Sequence, residues 1–346
     1  MAPVRIAAIL AALVMAAAAA PQAVAQSAPK PLFAGNEVLR LTIRGPINQI
    51  ARPVERSRVP RPGVLTVPGA VPESLAIQLS PRGITRLRRD VCEFPPLRVR
   101  FQSPPGPGSL FAGQKSLKLV THCQSAASFQ QYLLLEYTVY RLYNQLTPAS
   151  HRVRLATIDY VDDANRPITT RLGFFLEDID DVAARNGMRT AATADRIASS
   201  QLSPADAARV ALFEYMIGNM DWSMRAGPRG EGCCHNSTLL TRAAGGGYMP
   251  VPYDFDYSGL VNAPYAVSPG GGSVLKRRYM GFCAHNGDVL AFAALLRSQR
   301  APLLATLNQV ALDESVRRRA AAYLTSFFND IADDRSTSAK VLKTCA

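Results

Sequence analysis

The chain has no fixed-period internal repeat, no Gly-x-Ser-x-Gly elbow, and only four histidines, His122, His151, His235 and His285. The first absence excludes solenoid and propeller arrays; the other two leave little for Ser-His hydrolase chemistry. Beyond the N-terminal end no apolar run is long enough to span a bilayer, which predicts a mature chain without a transmembrane segment. Negative charge is scarce: 26 Asp and Glu stand against 39 Lys and Arg, a formal net charge of +13. That balance favours an anionic partner or a solvated basic surface. No long Lys/Arg tract with interleaved aromatics gathers the charge, which argues against nucleic acid.

What is present begins with MAPVRIAAILAALVMAAAAAPQAVAQ, one basic residue, an Ala-rich apolar run and the small-residue pattern Ala23-Val24-Ala25. This is the signature of a cleaved export signal over residues 1–25, cut after Ala25, and it predicts a periplasmic or extracellular protein. Residues 26–37 read as a polar, disordered leader. Export makes disulfides the default reading of six cysteines. Cys92 is expected to pair with Cys123, both in the strand-rich half, and one of Cys233 and Cys234 with Cys283. A zinc site from Cys233, Cys234, His235 and Cys283 is the alternative, although adjacent cysteines lack the usual ligand spacing.

The segments VLRLTIRG, GVLTV, SLAIQLS, PLRVRFQ and SLKLVTHC predict short antiparallel strands. Between them RGITRLRRDVCEFPP, residues 82–96, sets arginines near a glycine, as a phosphate-binding loop or an exposed basic loop would. GSLFAGQKS imitates a Walker A loop, but its spacing is one residue too long and no strand precedes it. A helix is expected over residues 128–146, then a strand, a turn at Asp162 to Pro167 and a second strand leaving as FFLEDID. From Asp195 onward the pattern is mainly helical. The chain thus divides into a β-rich lobe with one long helix, 38–176, and a helical lobe, 177–346.

Within the second lobe, residues 213–259 run FEYMIGNMDWS, a Gly-rich insert with Cys233-Cys234-His235-Asn236, and PVPYDFDYSG. An Asp just past an apolar helix can hold a hydroxyl nucleophile, while an Asn and a second Asp can share a divalent cation against nucleotide phosphates. Taken singly, Asp221 could cap a turn, Asn219 end a helix in the left-handed region, and Asp254 and Asp256 solvate a loop.

Asn219-Met220-Asp221-Trp222, the later Asn236, and Asp254-Phe255-Asp256-Tyr257 resemble the CotH-type atypical protein kinases, themselves distantly similar to Golgi casein kinase-type secretory kinases. Arg82-Gly83 followed by LRVRF, the helix around Leu134, and GFFLEDI resemble, in order, that family's arginine-glycine loop, strand, helix and hinge strand. The resemblance implies an α+β, two-lobed protein-kinase-like fold that transfers phosphoryl from ATP to a protein hydroxyl with Mg²⁺ or Mn²⁺. It implies Asp221 as the catalytic carboxylate, Asn236 and Asp254 as metal ligands with Asp256 as a contender, and Lys118, Glu136, Arg82 and Glu177 around the nucleotide. Lys118 is expected to pair with Glu136 in the way kinases fix a phosphate-gripping lysine.

Two departures stand out. The gap from Asp221 to Asn236 is longer than the family's, so MRAGPRGEGCC reads as an insertion; and Arg98 and Arg100 occupy the strand where a lysine is expected, leaving Lys118 as substitute. The alternative is a catalytically inactive kinase-like envelope protein acting as a binding or structural module. If Lys118 and Glu136 cannot meet, the inactive module gains weight.

Overall fold

The computed structural model describes residues 28–346; the expected export signal lies outside the described residues. Seven strands come first: β1 Leu39–Arg44, β2 Arg61–Val67, β3 Glu73–Pro81, β4 Leu97–Phe101, β5 Ser116–Val120, β6 Val153–Val161 and β7 Pro167–Leu176. Their alternation sorts side chains locally: in β4, Leu97, Val99 and Phe101 are buried while Arg98 and Arg100 face solvent. Neighbours in the order β1-β2-β3-β4-β5-β7-β6 are antiparallel, and β6 then runs parallel to β1, with Leu41 opposite Ile158, closing a barrel. Leu41, Ile43, Leu65, Ile77, Leu79, Val99, Leu119, Ile158 and Phe175 fill it. Pro31–Phe33 forms a 3-10 turn whose Leu32 and Phe33 join this core, so ordered structure begins inside the stretch expected to be a leader.

A short helix, α1 Ile47–Ala51, follows β1, and the long α2, Ser128–Leu146, lies between β5 and β6. Residues Leu133 to Tyr140 of α2 are buried without a break, because the helix has core on two sides. Toward the barrel wall Tyr140 meets Phe174, and away from it Tyr140 meets Phe255 at 4.7 Å and Tyr143 meets Phe213 at 4.5 Å between ring centroids. The remaining elements are α3 Ile179–Arg185, β8 Met188–Thr190, α4 Pro204–Ile217, β9 Ser237–Arg242, β10 Met249–Pro252, α5 Asn286–Ser298, α6 Arg300–Ala305, α7 Glu314–Asp330 and α8 Asp334–Lys340. Three of them form a small sheet in the order β10-β9-β8.

The expected two-lobed protein-kinase-like fold is therefore corrected: the chain builds a closed seven-stranded barrel, a separate three-stranded sheet, and helices. An alternating strand looks the same in an open sheet and in a closed one; closure comes from β6 returning to the free edge of β1, which removes the exposed edges. The half expected to be helical also contains β8, β9 and β10.

Three disulfides form, Cys92–Cys123, Cys233–Cys234 and Cys283–Cys345. The first is the expected one. The expected link from the vicinal pair to Cys283 is not made, because the C-terminal end folds back on Cys283, where Cys283 N donates to the Ala346 carbonyl. With the vicinal cysteines bonded to each other, the zinc alternative loses its thiolates. Among the described residues no helix is long and apolar enough to cross a membrane.

Candidate functional site

The helix α4 opens at Ser203-Pro204 and stops at Gly218, whose φ of +67° belongs to the left-handed region where a side chain is strained. A Cβ there would also run into the Tyr323 hydroxyl. The reversal delivers Asn219, which is buried and acts as a clamp: its Oδ1 accepts from Asp221 N at 3.0 Å and its carbonyl accepts from the Trp222 indole at 3.1 Å. Asp221 is left at the surface of a cleft with its carboxylate one-third exposed.

The long insert after Asp221 does not separate the two halves of the motif. Asp195 accepts from Gly230 N at 2.7 Å and Gly232 N at 2.9 Å, and Ser223 N donates to the His235 carbonyl at 3.0 Å, so the loop returns to where it left. His235 Nε2 then lies 2.8 Å from Asp221 Oδ1, and Asn236 Nδ2 donates to the Asp221 carbonyl at 2.6 Å and to its Oδ2 at 3.2 Å. That hydrogen bond to Asp221, against burial, raises the His235 pKa.

From Asn236 the chain enters β9, and β10 brings it back beside its start, with Tyr253 N donating to the Asn236 carbonyl at 3.0 Å. Asp254 follows with φ +64°, its N–H donating to the Tyr140 hydroxyl of α2 at 2.9 Å. Asn and Asp tolerate this backbone better than most residues. A 3-10 turn, Phe255–Tyr257, then sends Phe255 and Asp256 inward.

Behind Asp254 lies a buried cluster centred on Arg86, which comes from the loop after β3. Its Nη1 is 3.0 Å from Glu136 Oε2, its Nη2 2.6 Å from Asp254 Oδ1, and its Nε 3.2 Å from Asp256 Oδ2. Burial opposes charge on Arg86, yet Asp256, Glu136 and Asp254 together hold its pKa well above the ordinary value. Three carboxylates against one guanidinium leave excess negative charge. Burial raises Glu136, and burial with Asp254 and Glu136 pushes Asp256 up to about 8 in spite of Arg86.

The cleft in front of this cluster has a volume of about 420 Å³ and is lined by Arg82, Thr85, Asp221, Asn236, Tyr253 and Asp254 among others. Arg82 and Lys118 are half-buried cations that make no ion pair among the described residues. Burial, opposed by Asp254, lowers Arg82; burial and then the nearby Arg82 lower Lys118 to about 8. The Lys118 ammonium lies 5.2 Å from the centroid of the Tyr253 ring.

Five of the expected residues, Asp221, Asn236, Asp254, Asp256 and Arg82, thus line one cleft. Two expectations are corrected. Lys118 does not pair with Glu136, whose Oε2 is bound by Arg86, and neither Lys118 nor Glu136 lines the cleft. Glu177 does not face the cleft: it is buried, held bidentately by Arg185 at 2.9 and 3.0 Å, and accepts from Arg152 N. Arg86 and Tyr140 are functional candidates that sequence reasoning missed, and His235, considered there only as a zinc ligand or hydrolase base, is placed instead beside Asp221. Nothing marks Arg86 among its neighbouring arginines.

A divalent cation is testable against the donors present. Glu136, Asp254 and Asp256 each offer an oxygen within 4.8 Å of the others, but the guanidinium of Arg86 already binds all three. Asp254, more than one-third exposed, and the amide oxygen of Asn236, left over once its Nδ2 has donated to Asp221, are the oxygens suited to a hard cation in the cleft. Asp256 is too deep and too engaged with Arg86 to join them without moving it. No protein-family model matches the chain, and no curated protein does.

Proposed function

We propose that the cleft binds a nucleoside triphosphate with a divalent cation and transfers its terminal phosphoryl group to a protein hydroxyl, the chemistry that the resemblance to CotH-type atypical kinases implies. The observation that carries this reading is the convergence of Asp221, Asn236 and Asp254 with Arg82 in one cleft, from segments of chain far apart in sequence. An unpaired cation, Arg82, facing surface carboxylates is what a polyphosphate and its metal require.

The roles follow from position. Arg82 binds phosphate oxygens, with Lys118 adding positive charge from beside the Tyr253 ring, outside the cleft lining; Asp254 and the Asn236 amide oxygen hold Mg²⁺ or Mn²⁺. The cation, when bound, neutralises charge on the phosphates. Asp221 orients the acceptor hydroxyl and takes its proton as the oxygen–phosphorus bond forms and the bond to the nucleoside diphosphate breaks. The Asn219 clamp keeps its carboxylate aimed at the cleft, and His235 shares that carboxylate. ATP is the donor by the same resemblance. Three disulfides favour an oxidising compartment, hence a periplasmic or extracellular location.

One feature favours the second reading, a catalytically inactive binding module: Arg86 fills the centre of the carboxylate cluster and leaves Lys118 without its expected glutamate. The two readings separate in one experiment. Titrating the mature chain with ATP in the presence and absence of Mg²⁺ or Mn²⁺ should show metal-dependent binding that Asp254→Ala abolishes. Asp221→Ala should retain that binding and lose transfer to a protein acceptor. Binding without transfer in the wild type would favour the module, and the absence of any metal-dependent binding would sink the enzyme and leave the module.

A further inference from the structure

A second cavity, of about 350 Å³, shares no lining residue with the Asp221–Asp254 cleft. It lies where the C-terminal end of α2, the start of β6, residues 33–36 and Gln309 come together. Its lining contains Arg141, Arg152, Asn36, Asn144, Gln145 and Gln309, and no carboxylate. Two arginines line this space without a carboxylate among the lining residues, an arrangement a protein tolerates where something else supplies the negative charge.

The existing partners of these arginines are neutral. Arg141 donates to the Tyr137 hydroxyl at 3.1 Å and to the Gln309 Oε1 at 3.2 Å; Arg152 makes one long contact, 3.4 Å, from Nη1 to the Phe33 carbonyl. A guanidinium has more N–H donors than these bonds use. Glu177, the acid that acts on Arg152, is spent on Arg185 and accepts only the backbone N–H of Arg152, and Glu37, next to the lining residue Asn36, is paired with Arg154. Burial and the neighbouring Arg185 accordingly lower the Arg152 pKa despite Glu177. The polar floor is satisfied within itself: Asn144 Nδ2 donates to Ser150 Oγ at 2.9 Å and the His151 carbonyl at 2.8 Å, and Ser150 Oγ donates to the Thr147 carbonyl at 2.7 Å. The last turn of α2 offers its carbonyl end as partial compensation, but the Tyr143 carbonyl is already bonded to Thr147 N.

We propose that this cavity binds a small multiply charged anion, a phosphate or a di- or tricarboxylate, between Arg141 and Arg152. Arginine forks match both planar carboxylates and phosphate oxygens, and the amide nitrogens of Asn36 and Gln309 supply donors for the remaining oxygens. An occupant would tie together four parts of the chain, residues 33–36, α2, β6 and the turn that carries Gln309. The site is independent of the proposed phosphoryl chemistry.

The test is calorimetric titration of the full mature chain with inorganic phosphate and, separately, with citrate. One of the two is expected to bind with a dissociation constant below about 1 mM, and the stronger probe names the class. Gln309→Glu places a carboxylate on the existing partner of Arg141, at an exposed position where folding is not at risk, and should weaken binding by about tenfold or more. Arg152→Gln should do the same, while Arg82→Ala, which disables the other cleft, should leave the affinity unchanged. No binding of either probe up to about 10 mM would overturn the proposal. So would binding that survives both Gln309→Glu and Arg152→Gln, or that disappears with Arg82→Ala.

Discussion

At the scale of single residues, Arg86 is the side chain on which the candidate site depends. It is buried, and its three partners are carboxylates, two of them buried with it. Removing one partner of a buried ionic cluster leaves the others uncompensated, so Arg86→Ala is expected to cost about 3–5 kcal/mol in chemical denaturation. A loss below about 1 kcal/mol would mean that water reaches the carboxylates and that the cluster is not closed. The same cluster sets a pH dependence. Asp256 rises from an ordinary 3.8 to about 8 in the folded chain, so the folded state keeps a proton that the unfolded state has lost. Its contribution to stability is full below about pH 4 and declines as pH rises to about 8, by at most about 1.4 kcal/mol per unit, with Asp256→Asn flattening the slope. Denaturation midpoints across that range read it directly. For His235, whose pKa Asp221 raises, Asp221→Asn should lower the imidazole titration seen by NMR.

At the scale of elements, α2 is the piece through which barrel and site are connected. Its Glu136 reaches Arg86, and four residues along, on the same face, its Tyr140 hydroxyl accepts the Asp254 N–H. Tyr140→Phe keeps the ring against Phe174 and Phe255 but leaves that N–H unsatisfied, at an expected cost of about 1–3 kcal/mol. Metal-dependent nucleotide binding should weaken with it; unchanged stability and binding would show that the Asp254 backbone does not rely on α2. The end of α4 is the second such place. Gly218→Ala meets both the left-handed backbone and the Tyr323 hydroxyl, and should cost at least about 1–2 kcal/mol in a thermal melt. Adding Tyr323→Phe should recover part of it.

At the scale of the whole molecule, closure of the barrel holds the loop after β3 in place, and the Cys92–Cys123 disulfide fastens that loop to the end of β5. The bridge spans 31 residues in sequence, and Cys283–Cys345 spans 62. Replacing either pair by alanine should lower stability by about 2–5 kcal/mol. Only loss of Cys92–Cys123 should also weaken ligand binding in the cleft, since it alone anchors the segment carrying Arg82 and Arg86. Equal effects of the two replacements on binding would contradict that division.

Sequence alone determined the strands of the barrel, the extent of α2, and five of the residues that line the cleft. Alternation, capping and a run of buried apolar residues are local properties, and Asp221, Asn236 and Asp254 sit beside such signals. What only the tertiary structure decided were pairings between distant segments. Whether β6 would close on β1, whether Glu136 would meet Lys118 or Arg86, whether Glu177 would face the cleft or Arg185, and which cysteine would reach Cys283 are all set by three-dimensional distance. A buried carboxylate takes whichever cation the packed chain brings within hydrogen-bonding reach, and no spacing along the sequence encodes which that will be.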